Sequence, residues 1–297
     1  MATIYTQQSK NVRKTWLLMT MFFCIVIGLG YLFAQVYQDP NILYIFIVFS
    51  IGMNIAGYWF SDKIALSIAG AKPATREEYF DLYTIVENLA ITAGLPMPKL
   101  YVIADQAPNA FATGRDKEHA VVAVTTGLLS IMNKTELEGV IAHELSHIGN
   151  RDMLISTVAV VLVGFIAIIS DMFIRMSFFG GHNRDREGGG GAVMIIGLVL
   201  SILAPIAATL IQLGISRKRE YLADASGVLL TRYPEGLASA LGKLRDYSRP
   251  MNRQSTAIAH LYISNPFGEG NKFGKKVGSL FSTHPPIDDR IKILRGL

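Results

Sequence analysis

The sequence predicts a mainly α-helical integral membrane protein, with four transmembrane helices and a cytoplasmic α+β domain that carries a small sheet. Three observations predict it. Hydrophobic residues make up 51% of the 297 residues and charged residues only 17%, the balance of a chain that is part membrane and part water-facing. Four long apolar runs carry almost no charge. The segments between and after them have ordinary globular composition, with recognisable helix and strand patterns.

The first part, residues 1–71, reads as a helical hairpin. Trp16 to Tyr37 carries no charge and at about 1.5 Å per residue is long enough to cross a bilayer. It is too long for a typical signal-peptide core, and no good small-residue cleavage site follows it. A turn at Asp39, Pro40 and Asn41 leads into a second uncharged run, Ile42 to Phe60. The sole cysteine, Cys24, lies inside the first run. It excludes a disulfide framework and a cysteine-based zinc site, and reads as a small lipid-facing or packed residue.

Residues 72–152 read as water-facing. Thr75 with Glu78 matches a capping box, and helical periodicity continues to about Ala93. Gly94 to Pro98 breaks it. Lys99–Ala104 and His119–Thr125 are rich in strand formers, with Pro108 to Gly114 between them as a short edge strand with turns. Thr135 and Glu138 match another capping box, and a helix should run from there through His147.

Residues 153–216 read as a second hairpin. Its spans are placed at about 153–176, with apolar residues continuing to Phe179, and at 192–216. Asp171 and Arg175, four apart, either pair on one helical face or mark the membrane boundary. Pro205 marks a kink. The connector, Gly180 to Gly191, is glycine-rich and polar, so His182 and Glu187 read as solvated loop residues. In residues 217–297, Glu220–Leu230 and Pro234–Tyr247 read as helices, Arg249–Lys276 as irregular, and Pro286–Leu294 as a final short helix.

The net charge is +5. Its basic residues flank apolar runs: Lys10, Arg13 and Lys14 before the first, Arg217, Lys218 and Arg219 after the last. That placement speaks for membrane orientation and against a nucleic-acid partner. The amino terminus and the regions after the second and fourth spans share one side, and the positive-inside rule makes it the cytoplasm. Arg184 and Arg186 in the connector are a mild counter-signal.

His143-Glu144-Leu145-Ser146-His147 is the informative string. On a helix, residues four apart share a face, so both imidazoles can reach one zinc ion, with Glu144 beside it as general base. A catalytic zinc needs a third protein ligand and an open position. Glu220 is the candidate. It closely follows the fourth run, as His147 closely precedes the third, so the chain leaves and re-enters one membrane face. Asp224, four residues on, can accept a hydrogen bond from a ligand imidazole.

Four strings together resemble the HtpX family of membrane zinc peptidases, relatives of the CAAX prenyl protease: Pro108-Asn109-Ala110-Phe111-Ala112, His143-Glu144-Leu145-Ser146-His147, Arg219-Glu220-Tyr221-Leu222-Ala223-Asp224 and Thr283-His284-Pro285-Pro286. The resemblance covers essentially the whole chain. It implies a zincin-like, zinc-dependent endopeptidase of the cell inner membrane, with one Zn2+ per chain and both termini and the active site cytoplasmic. His143, His147 and Glu220 would be ligands and Glu144 the base. The implied work is protein quality control under stress, on damaged or misassembled membrane proteins or unfolded polypeptides, with the lipid bilayer as a further partner. Asn109, Ala110, Phe111 and Ala112 would form the edge that pairs with substrate, a structural turn being the alternative. Arg290 reads as support for the site, with His284 left open; His119 and His260 read as ordinary surface or packed residues. The competing functions are a prenyl-protein processing protease, which should need a larger intramembrane chamber, and a non-catalytic membrane scaffold, which would have no use for Glu144.

Overall fold

The computed structural model describes residues 4–179, 217–247, 249–255, 257–268 and 285–296. The apolar amino-terminal runs form two helices, α1 (Ile4–Tyr37) and α2 (Asn41–Trp59). The hairpin turns at Gln38, whose φ is 54°. Asp39 Oδ1 accepts hydrogen bonds from the main-chain and side-chain nitrogens of Asn41, each at 2.9 Å, and so sets the start of α2. Gly30 permits close approach, because a Cβ there would meet Phe46 at 2.5 Å. The outer face of α2 presents Tyr44, Ile45, Val48 and Ile55, as a lipid-facing helix does. Cys24 is on the exposed side of α1.

Ser9–Gln35 and Asn41–Trp59 are both long and apolar enough to cross a membrane. Among the described residues the count of candidate spans is two, or three if the bent pair of α6 (Lys134–Asn150) and α7 (Asp152–Phe179) is taken as one. Of the four expected spans, the first two are these candidates and the third falls within the bent pair. The pair bends by 85°: α6 belongs to the water-facing core, and α7 packs against the hairpin. Leu154, Ile155, Val158 and Leu162 of α7 pack with Leu18, Phe22 and Val26 of α1. The fourth run, Pro205 and the connector with His182 and Glu187 lie outside the described residues.

The water-facing part holds a four-stranded sheet in the order β1-β2-β4-β3: β1 Lys72–Pro73, β2 Lys99–Ile103, β3 Ala110–Thr113 and β4 Val121–Thr125. β2 and β4 are parallel, and β3 pairs antiparallel with β4 at one edge. On one face pack α4 (Phe80–Ala93) and α6, burying Val86 and Ile141 with Leu100, Val122 and Val124. The other face meets α3 (Ser61–Ala69) and α7, with Ala65, Phe111, Val160 and Tyr262 enclosed between them.

Two expected helix starts move. Thr75 caps a turn, its hydroxyl accepting from Glu78 N at 3.4 Å, and α4 begins only at Phe80. The capping box of α6 is Asn133 with Glu136 instead of Thr135 with Glu138. Asn133 is the residue in extended conformation there, which the N-cap requires. Glu136 also accepts from Ser239 and Lys243 of α9 (Pro234–Asp246) at 2.7 and 2.6 Å, tying the start of α6 to a later helix. The remaining described elements are α5 (Thr126–Ile131), α8 (Arg217–Thr231), a 3-10 turn at Ala259–Leu261 and α10 (Ile287–Leu294).

Candidate metal centre

Helix α6 places His143 and His147 one turn apart with Glu144 directly after the first, and His143 and Glu144 are only 1% and 2% exposed. Helix α8 crosses α6 closely because Gly227 faces it: a Cβ there would stand 3.1 Å from the main-chain nitrogen of His143. That crossing brings Glu220 and Asp224, four apart on α8, over the histidine pair. The buried Asp224 takes His143 Nδ1 at 2.9 Å. His147 Nδ1 lies 3.2 Å from Asp152 Oδ2. Each Nδ1 is thereby turned to a carboxylate, which points both Nε2 atoms toward one place.

They do converge. The two Nε2 atoms are 3.2 Å apart, and Glu220 oxygens lie 3.7 Å from that of His143 and 3.6 Å from that of His147. His143, His147 and Glu220 thus form a group able to hold a metal ion, with one donor atom of each within 4.8 Å of the others. Two nitrogens on one tetrahedral zinc, each at about 2.05 Å, would be about 3.3 Å apart. The donor set of two imidazoles and one carboxylate fits zinc of the catalytic kind.

Electrostatics divide the pair in the metal-free state. Burial, reinforced by Arg290 and His147, pushes His143 down to about 4 against the pull of Asp224. Burial also disfavours charge on His147, but Asp152, Glu220 and Glu144 outweigh it and raise it to about 9. A metal needs both rings neutral, so binding releases the His147 proton. Arg290 of α10 anchors the back of the site. It is 0% exposed, donates through Nε and Nη2 to both Asp224 oxygens at 2.8 and 2.6 Å, and reaches Glu220 at 3.9 Å. Burial opposes the charge on Asp224, yet Arg290 and His143 hold its pKa at about 2.

Of the residues singled out in the sequence, His143, Glu144, His147, Glu220, Asp224 and Arg290 come together. His284 lies outside the described residues. Asn109 is 1% exposed and works as a clamp: its amide donates to the Ser264 carbonyl at 3.0 Å and accepts from Ser264 N at 3.2 Å. Ala110, Phe111 and Ala112 form β3, also buried. His260 is packed against the Ser156 carbonyl at 3.1 Å, and His119 is half-exposed. Arg219, expected to flank the membrane, is buried within electrostatic reach of Asp152 and Glu220. Asp152 was not foreseen. It meets His147 only because Arg151, at φ 55°, turns the chain sharply between α6 and α7, and no spacing rule announces that turn.

Residues 77–297 match peptidase family M48. Over 300 residues the chain is 48% identical to the "Protease HtpX homolog" of Caldanaerobacter subterraneus subsp. tengcongensis, covering 99% of this chain and 98% of that one. It is 48% identical over 285 residues to the protein of the same description from Thermococcus kodakarensis, covering 95% and 94%. The crystal structure of S. mikatae Ste24p overlaps 98% of this chain and 67% of its own at a TM-score of 0.49 and 20% identity.

Proposed function

The chain belongs to peptidase family M48 as an HtpX-like membrane metalloprotease, and from that premise we propose that it is a zinc endopeptidase cutting damaged or misassembled membrane proteins and unfolded polypeptides at the cytoplasmic face. The observation that carries this reading is the convergence of two Nε2 atoms and a Glu220 oxygen beside a buried Glu144. A bound zinc supplies acidified water and a polarised scissile carbonyl. The chain's own residues do the rest. Glu144 takes the proton of the attacking water on its carboxylate and returns it to the leaving amine. Asp224 and Asp152 hold the Nδ1 hydrogens of His143 and His147, so each ring keeps one tautomer and one direction. Arg290 compensates the charge of Asp224 without touching substrate.

Substrate would add to the edge of β3 in extended form. Antiparallel pairing alternates its bonded residues; the Asn109 carbonyl is bonded to Thr125 N, so Ala110 and Ala112 turn their main-chain groups outward. Ala110 already accepts from Ile263 N at 2.9 Å, which leaves Ala112 as the pairing point in this proposal. The chain as a whole would comprise two membrane hairpins, residues 1–71 and 153–216, alternating with two cytoplasmic parts, 72–152 and 217–297. A scaffold reading gives no reason for a carboxylate at 2% exposure in Glu144, since burying one is costly.

The test is zinc content and cleavage of an unfolded model substrate, measured together on purified protein with and without chelator. Glu144→Gln should keep its zinc and lose cleavage by about two to four orders of magnitude. Glu220→Ala should lose both. Near-normal turnover in Glu144→Gln refutes the assignment of the base.

A further inference from the structure

Asn11 lies at the start of the first apolar span, 4% exposed, and the mechanism above makes no use of it. Its side-chain Nδ2 donates to Asp152 Oδ1 at 2.5 Å and to the main-chain oxygen of Asn150 at 3.2 Å. Both hydrogens of one amide are thus placed on either side of Arg151, the left-handed elbow between α6 and α7. A non-glycine residue held in that region is strained and persists only where its surroundings over-determine it. The other oxygen of the same Asp152 carboxylate lies 3.2 Å from His147 Nδ1. A carboxylate is planar, so holding Oδ1 also aims Oδ2.

From this chain of contacts we propose that Asn11 is a positioning residue of the metal centre: it acts through Asp152 on His147, and so couples metal affinity to docking of the first membrane helix. The proposal rests on the metal-centre reading above. Its chemistry is one of orientation. Asp152 is 3% exposed and has no bulk water to take over a lost donor. Without the Asn11 amide the carboxylate keeps His147 and the nearby charge of Arg219 but loses the donor that fixes Oδ1, so the imidazole it steers is held less firmly toward the shared Nε2 position. A buried asparagine serving only to pack α1 would stabilise the fold without this directional link.

The experiment is a double-mutant cycle on the full-length, detergent-solubilised protein, with zinc affinity read by chelator competition. Asp152→Ala should weaken zinc binding about 10–100-fold, as loss of an outer-shell partner does. Asn11→Leu, which keeps the volume and removes the amide, should weaken it about tenfold. In the Asp152→Ala background Asn11→Leu should then change affinity less than about twofold, because the residue it acts through is gone. Effects that multiply, or an Asn11→Leu protein with unchanged affinity, overturn the proposal. If Asn11→Leu does not accumulate, Asn11→Ser enters the same cycle under the same criteria. His147→Ala separates the two levels of the argument. Unchanged zinc binding there removes the metal-centre reading itself. Lost binding without Asn11–Asp152 coupling removes only this inference.

Discussion

Arg290→Met should destabilise the metal-free protein strongly and weaken zinc binding, although Arg290 is not a ligand. The guanidinium is fully buried and bidentate to Asp224, and Asp224 is itself 2% exposed. Methionine fills much of the volume but leaves a buried carboxylate whose one remaining described partner is His143, at 2.9 Å. Breaking a buried pair by removing one side costs about 3–5 kcal/mol, and about 2–4 °C of melting temperature goes with each kcal/mol in a chain of this size class. A fall of about 6–20 °C is expected in thermal unfolding of the chelated, detergent-solubilised protein. Asp224 can relieve the strain by taking up a proton, but it then holds the His143 Nδ1 hydrogen more weakly, so zinc affinity should fall about 10–100-fold. Asp224→Asn with Arg290→Met removes both charges. It should recover much of the lost stability while zinc affinity stays low. A single Arg290→Met variant that melts within about 2 °C of wild type and binds zinc normally would show that the pair does not hold the site.

Gly227→Val should cost zinc affinity more than Gly227→Ala, because even a Cβ stands 3.1 Å from the main-chain nitrogen of His143 and a branched side chain must push α8, with Glu220 and Asp224, away from α6; equal zinc affinity in the two variants would contradict this. Burial raises the Glu136 carboxyl, but Lys243, the Asn133 amide and Ser239 outweigh it and leave it lowered. Its stabilisation is therefore complete above the ordinary glutamate value of about 4.3 and is lost as pH falls through the lower folded value. Lys243→Met should melt lower at pH 7 and lose less than wild type on acidification below about pH 4.5, and parallel curves would refute the sign. Cysteines introduced at Asn183 and Asn271 should react with impermeant thiol reagents from opposite sides of intact membranes, and reaction from one side would refute the four-span topology.

Much was legible in the sequence because it is local. An uncharged run of membrane length becomes a helix in almost any context: α2 follows Ile42–Phe60 closely, and α1 ends at Tyr37 as expected but begins at Ile4, twelve residues before Trp16. Histidines four apart on a capped helix share a face whatever surrounds them, and so do Glu220 and Asp224 on α8. The errors lie where two adequate local signals competed. Thr135 with Glu138 fits the capping pattern as well as Asn133 with Glu136, and contacts from α9 accompany the second. The two-residue β1 is too short to carry any pattern and exists through its pairing with β2.

The sequence by itself determined which chemical groups are present and which helical face each occupies: two imidazoles, a neighbouring carboxylate and a second carboxylate pair. Only the tertiary structure decided which carboxylate serves which ring. Asp224 reaches His143 because Gly227 lets α8 lie close on α6. Asp152 reaches His147 because Arg151 takes a left-handed turn and α7 departs at 85°. Helical periodicity is set by hydrogen bonds four residues apart and can be read along the chain. The angle between two helices is set by packing and by single strained residues, and neither leaves a periodic trace in the sequence.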